Sequence, residues 1–370
     1  MGESLALSTL GLMTAAQTWP QMLEKLLRGE DLSMREATWA MEQVMRGEVS
    51  EAELAGWLIA LRAKGETVAE VIGFRDAILQ HAVPTGLTSW GVDIVGTGGD
   101  LAGTVNVSTM SAFVIAGAGT PVLKHGGRAS SSQSGATDVL TELGVVGTSG
   151  SQALEALFEQ TQLAFLFANQ FHPGFAHAAA VRKALGVPTV FNCLGPLTNP
   201  TRAEASAVGV ARQEVVPLIV GAFQTRGAAA LVFRGDDGLD ELTVTGYSRI
   251  WEVVNGDVGE HDVHPRDLGV GEYEPKEILG GSPAHNAQIA REVLAGERDG
   301  AVRDIVLLNA AAGLVAYELA TNPESAERPI RQRLVEQIDV ARASIDSGAA
   351  AEKLEQVVTV SQQLHANSEA

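Results

Sequence analysis

At 370 residues, with a formal charge of −19 and 45% hydrophobic residues, the chain is too long for one small module and too apolar for intrinsic disorder. It suits two domains, or one large α/β unit with an appended bundle. The single cysteine, Cys193, excludes a disulfide framework and a Cys-rich zinc site and fits a reducing compartment, and the acidic balance argues against nucleic acid as a partner, since phosphate contacts need clustered Lys and Arg.

Residues 1–18 read as a flexible leader, small, polar and unpatterned. Glu3 stands where a signal peptide would carry positive charge, and Ala6 where a myristoylation motif needs Ser or Thr. No unbroken run of about 18 apolar residues offers a membrane span, so the expectation is a soluble, cytoplasmic protein. From Trp19 to about His81 the signals are helical. Leu54, Trp57, Leu58 and Leu61 share one helix face, and Ser33 and Ser50 are N-cap candidates, which predicts about four short helices.

Past Pro84 the pattern changes. Short apolar runs at 92–95 (closed by Gly96), 121–124, 163–168, 187–192 and 229–234 alternate with helical stretches at 151–160, 176–185 and 213–225. That alternation predicts an α/β domain with a mostly parallel sheet covered on both faces. Residues 242–245 and 249–254 read as a hairpin, and 301–319, apolar almost all round, as a buried helix.

Four segments carry chemistry. Gly96-Thr97-Gly98-Gly99-Asp100 follows a strand, and its glycines let backbone N–H groups approach a phosphate. It lacks the Lys of a Walker loop, and Leu101 takes the place of a third dinucleotide-motif glycine; an ordinary strand-to-helix turn is the alternative. Asn106-Val107-Ser108-Thr109-Met110 opens a helix, where it could bind an anion or a metal through Ser108, or simply cap. Between Lys124 and Gly135, two cations, three glycines and four serines crowd twelve residues, which in so acidic a chain favours a phosphate ligand. Asp236-Asp237-Gly238-Leu239-Asp240-Glu241 suits Mg²⁺, which takes a few carboxylates plus substrate phosphate oxygens. Together they imply a polyphosphate substrate with its metal. His172 and His177 are not at the spacing of a helical zinc pair, Arg182 is a candidate carboxylate reader, and Cys193 reads as packing.

In these motifs (GTGGD, NVST, KHGGR with SGATDVLTELG, LGPLTNP and GLDEL) the chain resembles the anthranilate phosphoribosyltransferase family, from about Trp19 to about Val360. The resemblance implies a helical dimerisation domain over 19–83 plus helices near 175–225, and an α/β domain over 88–174 and 226–365. Phosphoribosyl pyrophosphate (PRPP) would be surrounded by Gly96, Gly99, Asp100, Thr104, Asn106, Val107, Ser108, Thr109, Lys124, His125, Gly126, Gly127, Arg128, Ser131 and Ser132. Ser108, Asp240 and Glu241 would hold two Mg²⁺ ions per subunit, with Lys124, Asp240 and Glu241 catalytic. Gly96, Gly127, His172, Arg182 and Pro196 would line the anthranilate site. The chain departs from the family pattern at Gly127, where asparagine is usual, and at Asn169, Gly174 and Ala136. The resemblance implies Mg²⁺-dependent transfer of phosphoribosyl from PRPP to the anthranilate amine in tryptophan biosynthesis. The altered acceptor half leaves a different aromatic acid as an alternative acceptor, and pyrimidine nucleoside phosphorolysis, with no need of the metal pair, is the other alternative.

Overall fold

The structure is a computed structural model that describes residues 17–127, 134–148 and 150–369. All but Gln17 and Thr18 of the expected leader, and the expected phosphate-loop residues Arg128, Ser131 and Ser132, lie outside the described residues.

Four helices open the fold as expected: α1 (Trp19–Leu27), α2 (Met34–Arg46), α3 (Glu51–Lys64) and α4 (Val68–Gln80). Ser33 and Ser50 do cap α2 and α3. Each accepts from the backbone N–H of the glutamate three residues on, whose carboxylate returns to the cap, and Thr67 repeats this box at α4. The bundle closes over Trp57, Leu58 and Phe74, which are fully buried.

Seven strands follow: β1 (Val92–Gly96), β2 (Val122–Gly126), β3 (Leu163–Phe167), β4 (Ala205–Gly209), β5 (Ala229–Gly235), β6 (Ser248–Val254) and β7 (Asp257–Val263). Their order is β3-β2-β1-β4-β5-β6-β7, parallel from β3 to β5 and antiparallel beyond. The expected strand at 187–192 is not formed: Phe191–Leu194 is a short helix, and Ala205–Gly209 takes the central place beside β1. Ala205, Ser206, Ala207 and Gly209 are too small to announce a strand by hydrophobicity, and their size lets helices pack close on both faces. The hairpin is also shifted. It joins β6 to β7 through Asn255 and Gly256, both left-handed at φ 51° and 85°, the type I′ pattern, whereas 242–245 is a loop.

Alternate residues on the strands feed two cores. Ala207, Leu231 and Phe233 join α5 (Val107–Gly117) and the C-terminal helices; Val208, Ala230 and Val232 join the helical bundle and Val216–Arg226. Ala301–Thr321 is long and apolar enough to span a membrane, yet it is packed inside this first core. The chain leaves β1 toward β2 and later returns to β4 on its other side. The crevice beyond the C-terminal ends of β1 and β4 is therefore the switch point where α/β sheets bind ligands.

Candidate active site

Glycines close both strands at that crevice, and the carboxylate loop fills the space they leave. A Cβ on Gly96 would overlap the Asp240 carboxylate, and one on Gly209 would overlap Asp240's backbone carbonyl. The Gly98 N–H donates to Asp240 Oδ2 at 2.7 Å. Burial, aggravated by the neighbouring Asp100 carboxylate, pushes Asp240 up to about 6, and burial beside Asp240 raises Glu241 well above the carboxylate range. Three carboxylates gathered without enough counter-charge favour a cation there. No group of three or more His, Cys, Asp or Glu among the described residues encloses a metal by itself. A partial carboxylate shell completed by substrate oxygens is what suits Mg²⁺. The rest of the acidic motif is structural: Asp237 Oδ2 accepts from the Thr243 and Thr245 hydroxyls at 2.6 and 2.5 Å, and Asp236 is exposed.

Lys124 is buried in the middle of β2. Its ammonium donates to the Ile94 carbonyl at 2.5 Å and to Ser108 Oγ at 3.1 Å, with Asp93 and Glu241 as charge neighbours. Ser108 stands in the first turn of α5, where backbone N–H groups lack helical acceptors. Asn106 does not cap that helix through its side chain; its amide donates instead to the Ser134 carbonyl at 3.1 Å. The side chains of Val107 and Thr109 are buried, so they can offer only backbone groups. Gly99 lies in the left-handed region beside the half-buried Asp100, and Thr104 bridges to Leu279. Gly126 approaches Ala136.

Strand alternation sends His125 to the opposite face from Lys124. It meets His172 edge-to-face at 5.2 Å, and His172 stacks on Phe175. His125 Nδ1 lies 3.1 Å from the Gly195 carbonyl and His172 Nε2 lies 2.8 Å from the Thr198 carbonyl, so those nitrogens carry the protons. Burial holds the two imidazoles neutral, near 3 and 4. His125 Nε2 and His172 Nδ1 are therefore unprotonated, and both are buried without a partner among the described residues. Arg182 sits over the Phe191 ring at 5.0 Å, half-buried and with no carboxylate partner among the described residues. Pro196 is buried next to Gly195. Among the described residues Gly127 has space: a Cβ there would make ordinary contact, 3.7 Å, with Ala168. Gly174 has none, because a methyl would reach the Met45 carbonyl of α2 at 2.8 Å; this departure from the family pattern is a packing requirement.

A cavity of about 290 Å³ lies on the bundle side of the glycine turn, between Arg62, Glu66, Thr189, Asn192 and Arg212; neither Arg182 nor His172 lines it. The sequence reading missed several supporting residues. Gly209 was hidden by the unrecognised strand. Asp93, which receives the His125 N–H at 3.0 Å and the Asn199 amide at 2.8 Å, looked like one polar residue in a strand. Thr137, in the SGATD segment, has a buried hydroxyl without a partner among the described residues.

Two family models cover most of the chain: a glycosyl transferase family helical bundle domain over 20–82, and a glycosyl transferase family a/b domain over 89–351. The anthranilate phosphoribosyltransferase of Leifsonia xyli subsp. xyli is 59% identical over 346 residues, spanning 94% of this chain and 99% of that protein. The chain belongs to the anthranilate phosphoribosyltransferase family. Among solved structures of that family, the Thermus thermophilus enzyme matches with a TM-score of 0.83 at 38% identity, over 92% of this chain and 99% of the other. The Saccharomyces cerevisiae anthranilate phosphoribosyltransferase in complex with PRPP and Mg matches with a TM-score of 0.84 at 29% identity, over 93% and 98%.

Proposed function

We propose that the chain transfers the 5-phosphoribosyl group of PRPP to the amine of anthranilate, with Mg²⁺, giving N-(5-phosphoribosyl)anthranilate and pyrophosphate in tryptophan biosynthesis. The observation that carries this reading is the meeting of Asp240 with the glycine turn at the switch-point crevice, with Glu241 beside it, in a chain 59% identical to an enzyme of that name. The likeness to a yeast enzyme solved with 4-fluoroanthranilate supports the acceptor.

In the reaction, the anthranilate nitrogen lone pair forms the bond to the ribose C1, the bond from C1 to the pyrophosphate oxygen breaks with its electron pair, and the nitrogen sheds one proton. Mg²⁺ would neutralise charge on the departing pyrophosphate. We assign its protein ligands to Asp240, Glu241 and Ser108, for two ions per subunit. Lys124 and the first-turn N–H groups of α5 face the same anion. Arg182 takes the acceptor carboxylate, and the unprotonated nitrogen of His125 or His172 takes the proton. We further propose a helical unit over 19–83 joined by the helices near 175–225, and an α/β unit over 88–174 and 226–365. The bundle would form a homodimer; exposed Leu27 of α1 and Ile59 of α3 support this, and sedimentation velocity reads the mass. The lone buried thiol supports a cytoplasmic enzyme.

Purified protein should quench anthranilate fluorescence only when PRPP and Mg²⁺ are both present. No loss with both present, while PRPP still binds by calorimetry, would overturn the acceptor. The Gly127 position adds a second test. Its space admits a side chain, so Gly127→Asn should add an amide contact to anthranilate and lower its KM about three- to tenfold, the effect of one hydrogen bond. An increase in that KM would reject the placement of Gly127 at the acceptor.

A further inference from the structure

Asn309 is a fully buried amide in the middle of the apolar helix Ala301–Thr321. A buried amide without hydrogen bonds is costly, so its place in this core needs a reason. Its side chain leaves the helix and closes a ring on one residue of the carboxylate loop. Asn309 Oδ1 accepts the Leu242 N–H at 2.9 Å, and Asn309 Nδ2 donates to the Leu242 carbonyl at 2.9 Å. The second Nδ2 proton goes to the Ile305 carbonyl one turn back, at 2.8 Å, which fixes the rotamer. Both amide protons and the amide oxygen are thus satisfied. The reversed amide would set oxygen against two carbonyls, so the orientation is unique.

Leu242 is itself fully buried and directly follows Asp240 and Glu241. From the strand ends, Gly96, Gly98 and Gly209 hold Asp240; from beneath, Asn309 fixes the main chain just past Glu241. We infer that Asn309 is a positioning residue for the Asp240–Glu241 pair, setting the placement of both carboxylates through the Leu242 backbone. The inference rests on the metal-binding role proposed above for those two residues. It gives a core helix a function in the site: its amide is the point where the scaffold grips the loop.

The test compares the folded full-length protein, Asn309→Asp, Asn309→Ser and Asp240→Asn by calorimetric titration of PRPP at a series of Mg²⁺ concentrations. Asn309→Asp keeps an acceptor for the Leu242 N–H and loses both donors; Asn309→Ser is the smaller substitute if the carboxylate prevents folding. The expected result is that the Mg²⁺ concentration for half-maximal PRPP binding rises about tenfold, with the anthranilate KM within twofold of the parent. Val315→Ala, buried in the same helix but with no side-chain hydrogen bond to the loop, supplies a variant with lowered melting temperature for comparison. If the Asn309 variants melt lower yet match the parent and Val315→Ala in Mg²⁺ dependence while Asp240→Asn does not, the inference fails alone. If Asp240→Asn also leaves that dependence unchanged, the metal assignment fails and the inference falls with it.

Discussion

Asp240→Asn combined with Glu241→Gln should lower kcat by at least about a thousandfold, because the two would hold the Mg²⁺ that neutralises the departing anion, and preorganised charge stabilisation of that kind is worth about a hundred- to a thousandfold per group. The same variant should be more stable than the parent when metal is removed by chelation. The sign follows from the pKa directions. Asp240 stands at about 6 in the folded protein against 3.8 for the free group, and Glu241 is raised further by burial beside it. A carboxyl group raised by folding contributes stability below its unfolded value and loses it as pH rises through the folded one. Metal-free parent protein should therefore lose stability between about pH 4 and pH 7, and the Asn/Gln variant should lose less. Asp93, also raised to about 6 by burial, is common to both proteins and cancels in the comparison. Thermal melts across that range, with and without Mg²⁺ and PRPP, check both halves. Stabilisation of the variant by Mg²⁺ and PRPP equal to that of the parent would reject the metal assignment.

The sequence makes the motifs legible because each needs a residue type that has few other reasons to stand where it does: glycines against a backbone, adjacent carboxylates after a strand, a lysine within an apolar strand. It also exposes the bundle, since Ser33 and Ser50 with their glutamates announce helix starts. The supports beneath the motifs are less visible. β4 is built of small residues, so Gly209 could not be placed opposite Gly96. Lys124 and His125 are neighbours in the chain but face opposite sides of the sheet, Lys124 toward Ser108 and His125 toward His172. Asn309 is one polar residue in an apolar helix, and nothing local says that its amide reaches Leu242, 67 residues away.

Gly209→Ala should be the most damaging single methyl in this site. Gly209 closes β4 beside Gly96 in register, and its missing side chain is the space into which Asp240's backbone carbonyl fits. The obstacle is main chain, held from above by the bond from the Gly98 N–H and from beneath by Asn309 at Leu242, so it cannot swing aside as a side-chain tip would. The loop has to lift as a unit, carrying both carboxylates away from Ser108 and Lys124. A shift of about 1 Å in catalytic groups costs about a hundredfold in rate, and overpacking a close contact costs about 1–3 kcal/mol of stability. Gly209→Ala should fold with a lowered melting temperature, lose kcat about a hundredfold or more, and need more Mg²⁺ to bind PRPP. Gly96→Ala should cost less stability, because its nearest obstacle is the Asp240 side chain, which can rotate, though that rotation moves the carboxylate itself and should also lower kcat. Equal melting temperatures for the two alanine variants would show that the main chain of the carboxylate loop is no stiffer an obstacle than the Asp240 side chain.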